Sequence, residues 1–159
     1  MSDLHELYQE MILDHNRHPH NFRAMPAADH RAQGFNPLCG DRVTLFLKLE
    51  GDRILDASFQ GSGCAISTAS ASILTDTLKG KTRSEAEVLF EDFRALVTGH
   101  EKGNGKSPLG KLTVFSGVSE FPARVKCATL AWHTLNSVLG GSHEVATTEG
   151  TDGEDLAAR

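Results

Sequence analysis

The sequence predicts an α+β fold, a small antiparallel sheet with helices packed on one face. Residues 4–12 carry apolar side chains at helical spacing, residues 43–60 alternate in two short runs about a turn, and residues 66–97 and 121–139 return to helical spacing. A helix, then a hairpin, then further helices, without strand–helix–strand alternation, is the order from which such layers are built.

In the first helix Leu4, Leu7, Tyr8, Met11 and Ile12 fall on one stripe, Asp3 with Glu6 three residues on is a start signal, and His18-Pro19 closes the pattern. From His20 to Phe35 no period holds, which reads as an ordered or partly ordered connection. Val43, Leu45, Leu47 and Leu49 then alternate with Thr44, Phe46 and Lys48; Glu50-Gly51-Asp52 turns the chain; Leu55, Ala57 and Phe59 alternate with Asp56, Ser58 and Gln60. Gly61-Ser62-Gly63 is expected to break the second strand. After Cys64, Ile66, Ala69, Ile73, Leu74 and Leu78 mark a helix ending near Gly80. Ser84 with Glu87 reads as a capping box for a helix carrying Leu89, Phe90, Phe93, Leu96 and Val97. Gly99 to Gly110 has the composition of an exposed loop, and a short apolar stretch, Leu109 to Phe115, follows. The last helix is expected from about Phe121, with Pro122 in its first turn, to the Gly140-Gly141 stop.

The chain has 159 residues, 39% of them hydrophobic, enough for one domain with a core of its own. That domain is expected to span residues 1–141, followed by a disordered acidic tail over 142–159 with too little apolar surface to order itself. The net charge of −5 belongs mostly to this tail, where Glu144, Glu149, Asp152, Glu154 and Asp155 face a single Arg159. The nearly neutral remainder has no basic stripe, so nucleic acid is not an expected partner. No apolar run reaches membrane-spanning length and the N-terminus has no export signal, which predicts a soluble, cytoplasmic protein without membrane contact.

The residues with the most chemistry are the three cysteines, in Asn36-Pro-Leu-Cys39-Gly-Asp41, Gly61-Ser-Gly-Cys64 and Ala123-Arg-Val-Lys-Cys127. An odd number of separated cysteines points to reduced thiols rather than disulfides. With Asp41 they form a four-ligand set that suits zinc and an iron–sulfur cluster alike, while cysteines buried as small hydrophobes account for the same residues without metal. Gly40 allows one tight loop to aim Cys39 and Asp41 at a common centre, and Cys64 and Cys127 sit where helix starts favour thiolate. Arg42, Arg124 and Lys126 adjoin the ligands and are expected to bring positive charge towards them. His15, His18, His20 and His30 are explained by a helix end and a loop without a second metal, and His133 by an ordinary helix position. Ser67, Thr68, Ser70 and Ser72 read as a small polar face packed close to another backbone.

These three cysteine segments resemble the motifs of the U-type iron–sulfur assembly proteins, over a stretch running from the first helix to about Gly141. The chain looks most like the SufU branch. Its loop-rich segment from about Gly99 to Val118 resembles the insertion separating SufU from IscU, and Lys126 stands where IscU-type scaffolds have a histidine. The resemblance implies a SufE/NifU-like fold with about three strands and a flexible C-terminal tail. It implies zinc held by Cys39, Asp41, Cys64 and Cys127, the alternative being an iron–sulfur cluster on the same residues. It further implies that Cys39 accepts persulfide sulfur from a SufS-type pyridoxal-phosphate cysteine desulfurase and that downstream iron–sulfur scaffold proteins are partners; Arg124, beside Cys127 in sequence, is the expected electrostatic support. The first helix, at Tyr8, and the inserted segment are the expected docking surfaces.

Overall fold

In a computed structural model, residues 2–37, 40–99, 110–139 and 146–147 are described. The elements run α1 (Ser2–Arg17), β1 (His30–Asn36), β2 (Asp41–Glu50), β3 (Arg53–Ser62), α2 (Ala65–Leu78), α3 (Arg83–Thr98), a 3-10 helix (Gly110–Glu120), α4 (Pro122–Leu139) and β4 (Ala146–Thr147). The sheet order is β3-β2-β1-β4, with β1, β2 and β3 antiparallel and β4 parallel to β1.

The expected hairpin forms one side of the sheet, with β2 central and β3 at the edge. Leu45 pairs with Phe59 and Leu47 with Ala57, and together with Val43 they point to the face on which α2 and α4 build the core. Strand alternation sends Phe46 and Ser58 to the other face, where both are buried. The chain reaches that side between two anchor points: Arg23 N donates to Phe59 O at the outer edge of β3, and Asp29 N donates to Leu47 O beside β1. Met25, between them, is buried.

Several expectations change. Residues 30–36, expected to be connection, are a strand whose core-facing side chains are Ala32, Gly34 and Asn36, too small or too polar to signal a buried face. The small size is required by α4, since a Cβ on Gly34 would lie 2.0 Å from Thr134 Oγ1. The capping box of α3 is Thr82 with Glu85 rather than Ser84 with Glu87, because Thr82 is also bridged to Arg53 of β3 and the helix starts immediately after it. Strand β3 continues through Gly61 and Ser62 instead of breaking, and Gly61 passes so close to Arg42 O that a Cβ would meet it at 2.2 Å. Tyr8, expected on an exposed edge, packs against the core, and Leu13 of α1 is turned outward.

The helices stack because their contact residues are small where they cross. Ser70 Oγ of α2 donates to Ala128 O of α4 at 2.6 Å, as expected for a small polar face against a neighbouring backbone. Further out, Trp132 stacks on Phe93, which meets Phe115 edge-on. The 3-10 helix contributes Leu112, Val114, Phe115 and Val118 to the core, so the described part of the inserted segment packs inside the domain. Residues 100–109 of that segment lie outside the described residues, as does most of the stretch beyond 141. Ala146 and Thr147 pair with Gly34 and Phe35, within the stretch expected to be without order.

Candidate metal centre

Asp41, Cys64 and Cys127 come together from three elements. A carboxylate oxygen of Asp41 and the sulfurs of Cys64 and Cys127 all lie within 4.8 Å of one another. Cys39 lies outside the described residues. The loop that carries it is closed at its base by a hydrogen bond from Gly40 N to Asn36 O at 2.7 Å, and Gly40 has φ 78° immediately before Asp41.

Each ligand is fixed for a local reason. Asp41 opens β2, and strand alternation points it inward, where it is 1% exposed. Cys64 is the N-cap of α2 and its sulfur accepts from Ser67 N at 3.4 Å, doing what a serine or aspartate usually does there. Cys127, 2% exposed, lies one turn inside α4. Gly63 is required by the approach of Asp41, because a Cβ there would sit 2.7 Å from Oδ1. Cys64 N donates to that same Oδ1 at 2.9 Å.

One of the three expected cations, Arg42, is not at the centre. Arg42 follows Asp41 but alternation turns it to the opposite side of β2, where its guanidinium lies 4.5 Å from the centre of the Phe35 ring. It supplies no cation to the centre. Backbone amides at the start of α2 take that part, together with Asn36, whose Nδ2 is 3.4 Å from Asp41 Oδ2 and 3.8 Å from Cys127 Sγ. Arg124 lines, with Ile12, Leu13, Ile66 and Ala123, a cleft of about 540 Å³ that also contains Cys64 and Cys127. A hydrogen bond with Cys127 is the largest influence on the Cys64 thiol. With the Ser67 amide it outweighs burial and the Asp41 charge, which act the other way, and brings the pKa down to about 6.

The donor set fits zinc. Tetrahedral coordination, with Zn–S of about 2.3 Å and Zn–O of about 2.0–2.2 Å, spaces ligand atoms roughly 3.4–3.8 Å apart, a small contraction from the spacing seen. Two converging sulfurs and a carboxylate whose Oδ1 takes the Cys64 amide at 2.9 Å, its Oδ2 lying beside Asn36 Nδ2 and Cys64 Sγ, suit monodentate ligation through Oδ2.

Among the described residues this is the one group of three or more His, Cys, Asp or Glu side chains with converging ligand atoms. The histidines pair elsewhere. His15 Nδ1 meets Ser72 Oγ at 2.7 Å, His20 Nδ1 meets Asp76 Oδ2 at 2.6 Å, and the two rings are 4.5 Å apart. His133 stands edge-on to Phe90. Asn36 is the participant that sequence reasoning passed over. It was visible only as part of the cysteine motif, and its inward direction follows from a strand that no hydrophobic pattern announced.

Comparison with known proteins agrees with this geometry. The NifU-like N terminal domain family matches residues 7–128. The chain is 41% identical over 134 residues to the zinc-dependent sulfurtransferase SufU of Bacillus subtilis (strain 168), covering 84% of this chain and 90% of that protein. It is 40% identical over 139 residues to the iron–sulfur cluster assembly scaffold protein IscU of Streptococcus pyogenes serotype M1, covering 87% and 86%. A crystal structure of a putative iron–sulfur cluster assembly scaffold protein for the SUF system from Fervidobacterium islandicum AW-1 superposes with a TM-score of 0.77 at 36% identity, covering 85% of this chain and 98% of that one.

Proposed function

The chain belongs to the family of NifU-like N-terminal domains, and on that premise we propose that it is a zinc-dependent sulfur-transfer protein of iron–sulfur cluster assembly. It accepts persulfide sulfur on Cys39 from a SufS-type pyridoxal-phosphate cysteine desulfurase and passes it to downstream scaffold proteins. The observation that carries this reading is the convergence of Asp41, Cys64 and Cys127 beside the loop bearing Cys39. The Bacillus relative, named as zinc-dependent and as a sulfurtransferase, supports it.

Zinc on Cys39, Asp41, Cys64 and Cys127 would keep the thiols deprotonated at neutral pH while damping their reactivity. The chain's own residues divide the remaining work. Asp41, Cys64 and Cys127 are buried or half-buried on regular elements and accept N–H hydrogen bonds, which suits them to holding. Cys39 follows Pro37 and precedes Gly40 in sequence, a composition that suits the ligand that moves. Its thiolate attacks the terminal sulfur of the donor persulfide; the new S–S bond is on Cys39 and the donor cysteine leaves as thiolate. The apolar cleft with Arg124 on its wall leads to the same sulfurs and gives a donor segment a path and an anion partner.

The second reading is a scaffold that assembles and donates iron–sulfur clusters on the same ligands, favoured by the name of the streptococcal relative. Metal analysis and desulfurase assays separate the two. Protein purified without added metal is expected to carry one zinc and no cluster absorbance, and to stimulate desulfurase turnover; Cys39→Ala is expected to abolish the stimulation. Full stimulation by Cys39→Ala, or oxygen-free reconstitution that replaces the zinc with a transferable cluster, overturns the sulfur-transfer reading.

A further inference from the structure

The geometry points to Asn36 as a positioning residue of the metal centre, one that ties Asp41 to Cys127 and keeps three ligands assembled while Cys39 is detached. This inference rests on the sulfur-transfer reading above and assigns a residue to its least explained step.

Asn36 ends β1, pairs in register with Asp41 and is fully buried. A buried primary amide is costly unless its two N–H groups find acceptors, and here Nδ2 lies 3.4 Å from Asp41 Oδ2 and 3.8 Å from Cys127 Sγ. The other Asp41 oxygen takes the Cys64 amide. A chain of contacts therefore runs from Cys64 N through both carboxylate oxygens and the Asn36 amide to Cys127 Sγ. It joins ligands that stand on the start of α2, the start of β2 and the second turn of α4. Cys64 Sγ adds a second link, donating to Asp41 Oδ2 at 3.9 Å and hydrogen-bonding with Cys127, whereas Arg42 is turned to Phe35.

Two consequences follow for the chemistry. An N–H donor on a thiolate withdraws charge from sulfur and lowers its nucleophilicity, so Cys127 through Asn36, and Cys64 through Ser67 N, are marked as holding sulfurs. Asp41, with Oδ1 occupied by Cys64 N, is turned to ligate through Oδ2, the oxygen that Asn36 steadies. Asn36 then matters most when the fourth ligand is absent and the remaining three carry the ion alone.

The test is chelator competition for zinc, measured on the full chain in a Cys39→Ser background and in the parent. Supporting partners of metal ligands are typically worth about 10–100-fold in affinity. Asn36→Ala is expected to lose affinity within that range in the Cys39→Ser background and less in the parent, and Asn36→Ser, which restores a short donor, to recover part of the loss. With cobalt(II) in place of zinc, the thiolate-to-metal charge-transfer band is expected to shift in Asn36→Ala, a change that loss of packing alone does not produce in a folded protein. Should Asn36→Ala fail to fold, the same two readouts on Asn36→Ser decide. Unchanged affinity and an unchanged cobalt spectrum in the folded Asn36 variant overturn this inference alone, as does zinc held by the parent but lost altogether from Cys39→Ser. Absence of zinc binding by the parent overturns the functional reading and this inference with it.

Discussion

Helix α2 gathers polar side chains at both ends, and the two gatherings behave differently. At its start Asp41, Cys64 and Cys127 aim their ligand atoms at one point. In its second half Ser72 meets His15 Nδ1 and the His20 amide, Asp76 meets His20 Nδ1, and Asn21 adds bonds to Thr75 and Asp76. The second group fastens the end of α1 to α2 through pairs and short chains of bonds; in the first, all three ligand atoms lie within 4.8 Å of one another and are steadied by backbone amides and an asparagine. Convergence of ligand atoms, rather than a local abundance of histidine and acid, distinguishes a candidate metal centre from a structural clasp.

The comparison breaks most plainly at the ligands. Cys64→Ser and Cys127→Ser are expected to reduce zinc affinity by more than about 100-fold, beyond what supporting partners are worth. His15→Ala and His20→Ala are expected to leave zinc content unchanged; metal analysis of the four proteins checks both halves. Next in size is Gly63→Ala, whose methyl group has no room beside Asp41 Oδ1. It should lower zinc affinity about 10-fold through displacement of that carboxylate and cost about 1–3 kcal/mol of stability, as chelator competition and thermal unfolding will show.

Thiol reactivity sharpens the same contrast. With zinc removed, Cys64 is expected to reach half its limiting alkylation rate near pH 6, against about 8.5 for an ordinary thiol. Between those values the folded protein has released a proton that the unfolded chain retains. The stability this contributes is fully present above about pH 8.5 and is lost as the pH falls through about 6. Pulse alkylation across this range, read by mass spectrometry, checks it; half-labelling near 8.5 contradicts the arrangement at the start of α2. The smallest effect belongs to the clasp. His20→Ala removes a largely solvent-facing pair with Asp76 and is expected to cost under about 1 kcal/mol in urea unfolding.

The sequence was most legible where one physical rule acted alone. Alternation in residues 43–60 specified the hairpin, and the Pro122 and Gly140 signals bounded α4, because large apolar side chains and helix punctuation dominate those stretches. β1 was hidden because its inward positions are Ala32, Gly34 and Asn36, sized to admit α4 and to reach the centre. Thr82 lost the capping role to Ser84 on paper because both satisfy the same spacing, and the contact with Arg53 that favours Thr82 is tertiary. Three of the four expected ligands were placed together as the motifs implied. Arg42 was misassigned by nearness in sequence, although strand alternation already separates neighbours onto opposite faces. Asn36 needed the register of β1 against β2 before its direction was known.

The central claim is that sulfur arrives on Cys39 while the other two cysteines hold metal. Incubating the zinc-loaded protein with a SufS-type desulfurase and cysteine, followed by peptide mass spectrometry, tests it most directly. The account predicts one added sulfur on the peptide containing Cys39 and none on those containing Cys64 or Cys127. Sulfur accumulating on Cys64 or Cys127 while Cys39 stays unmodified would contradict it.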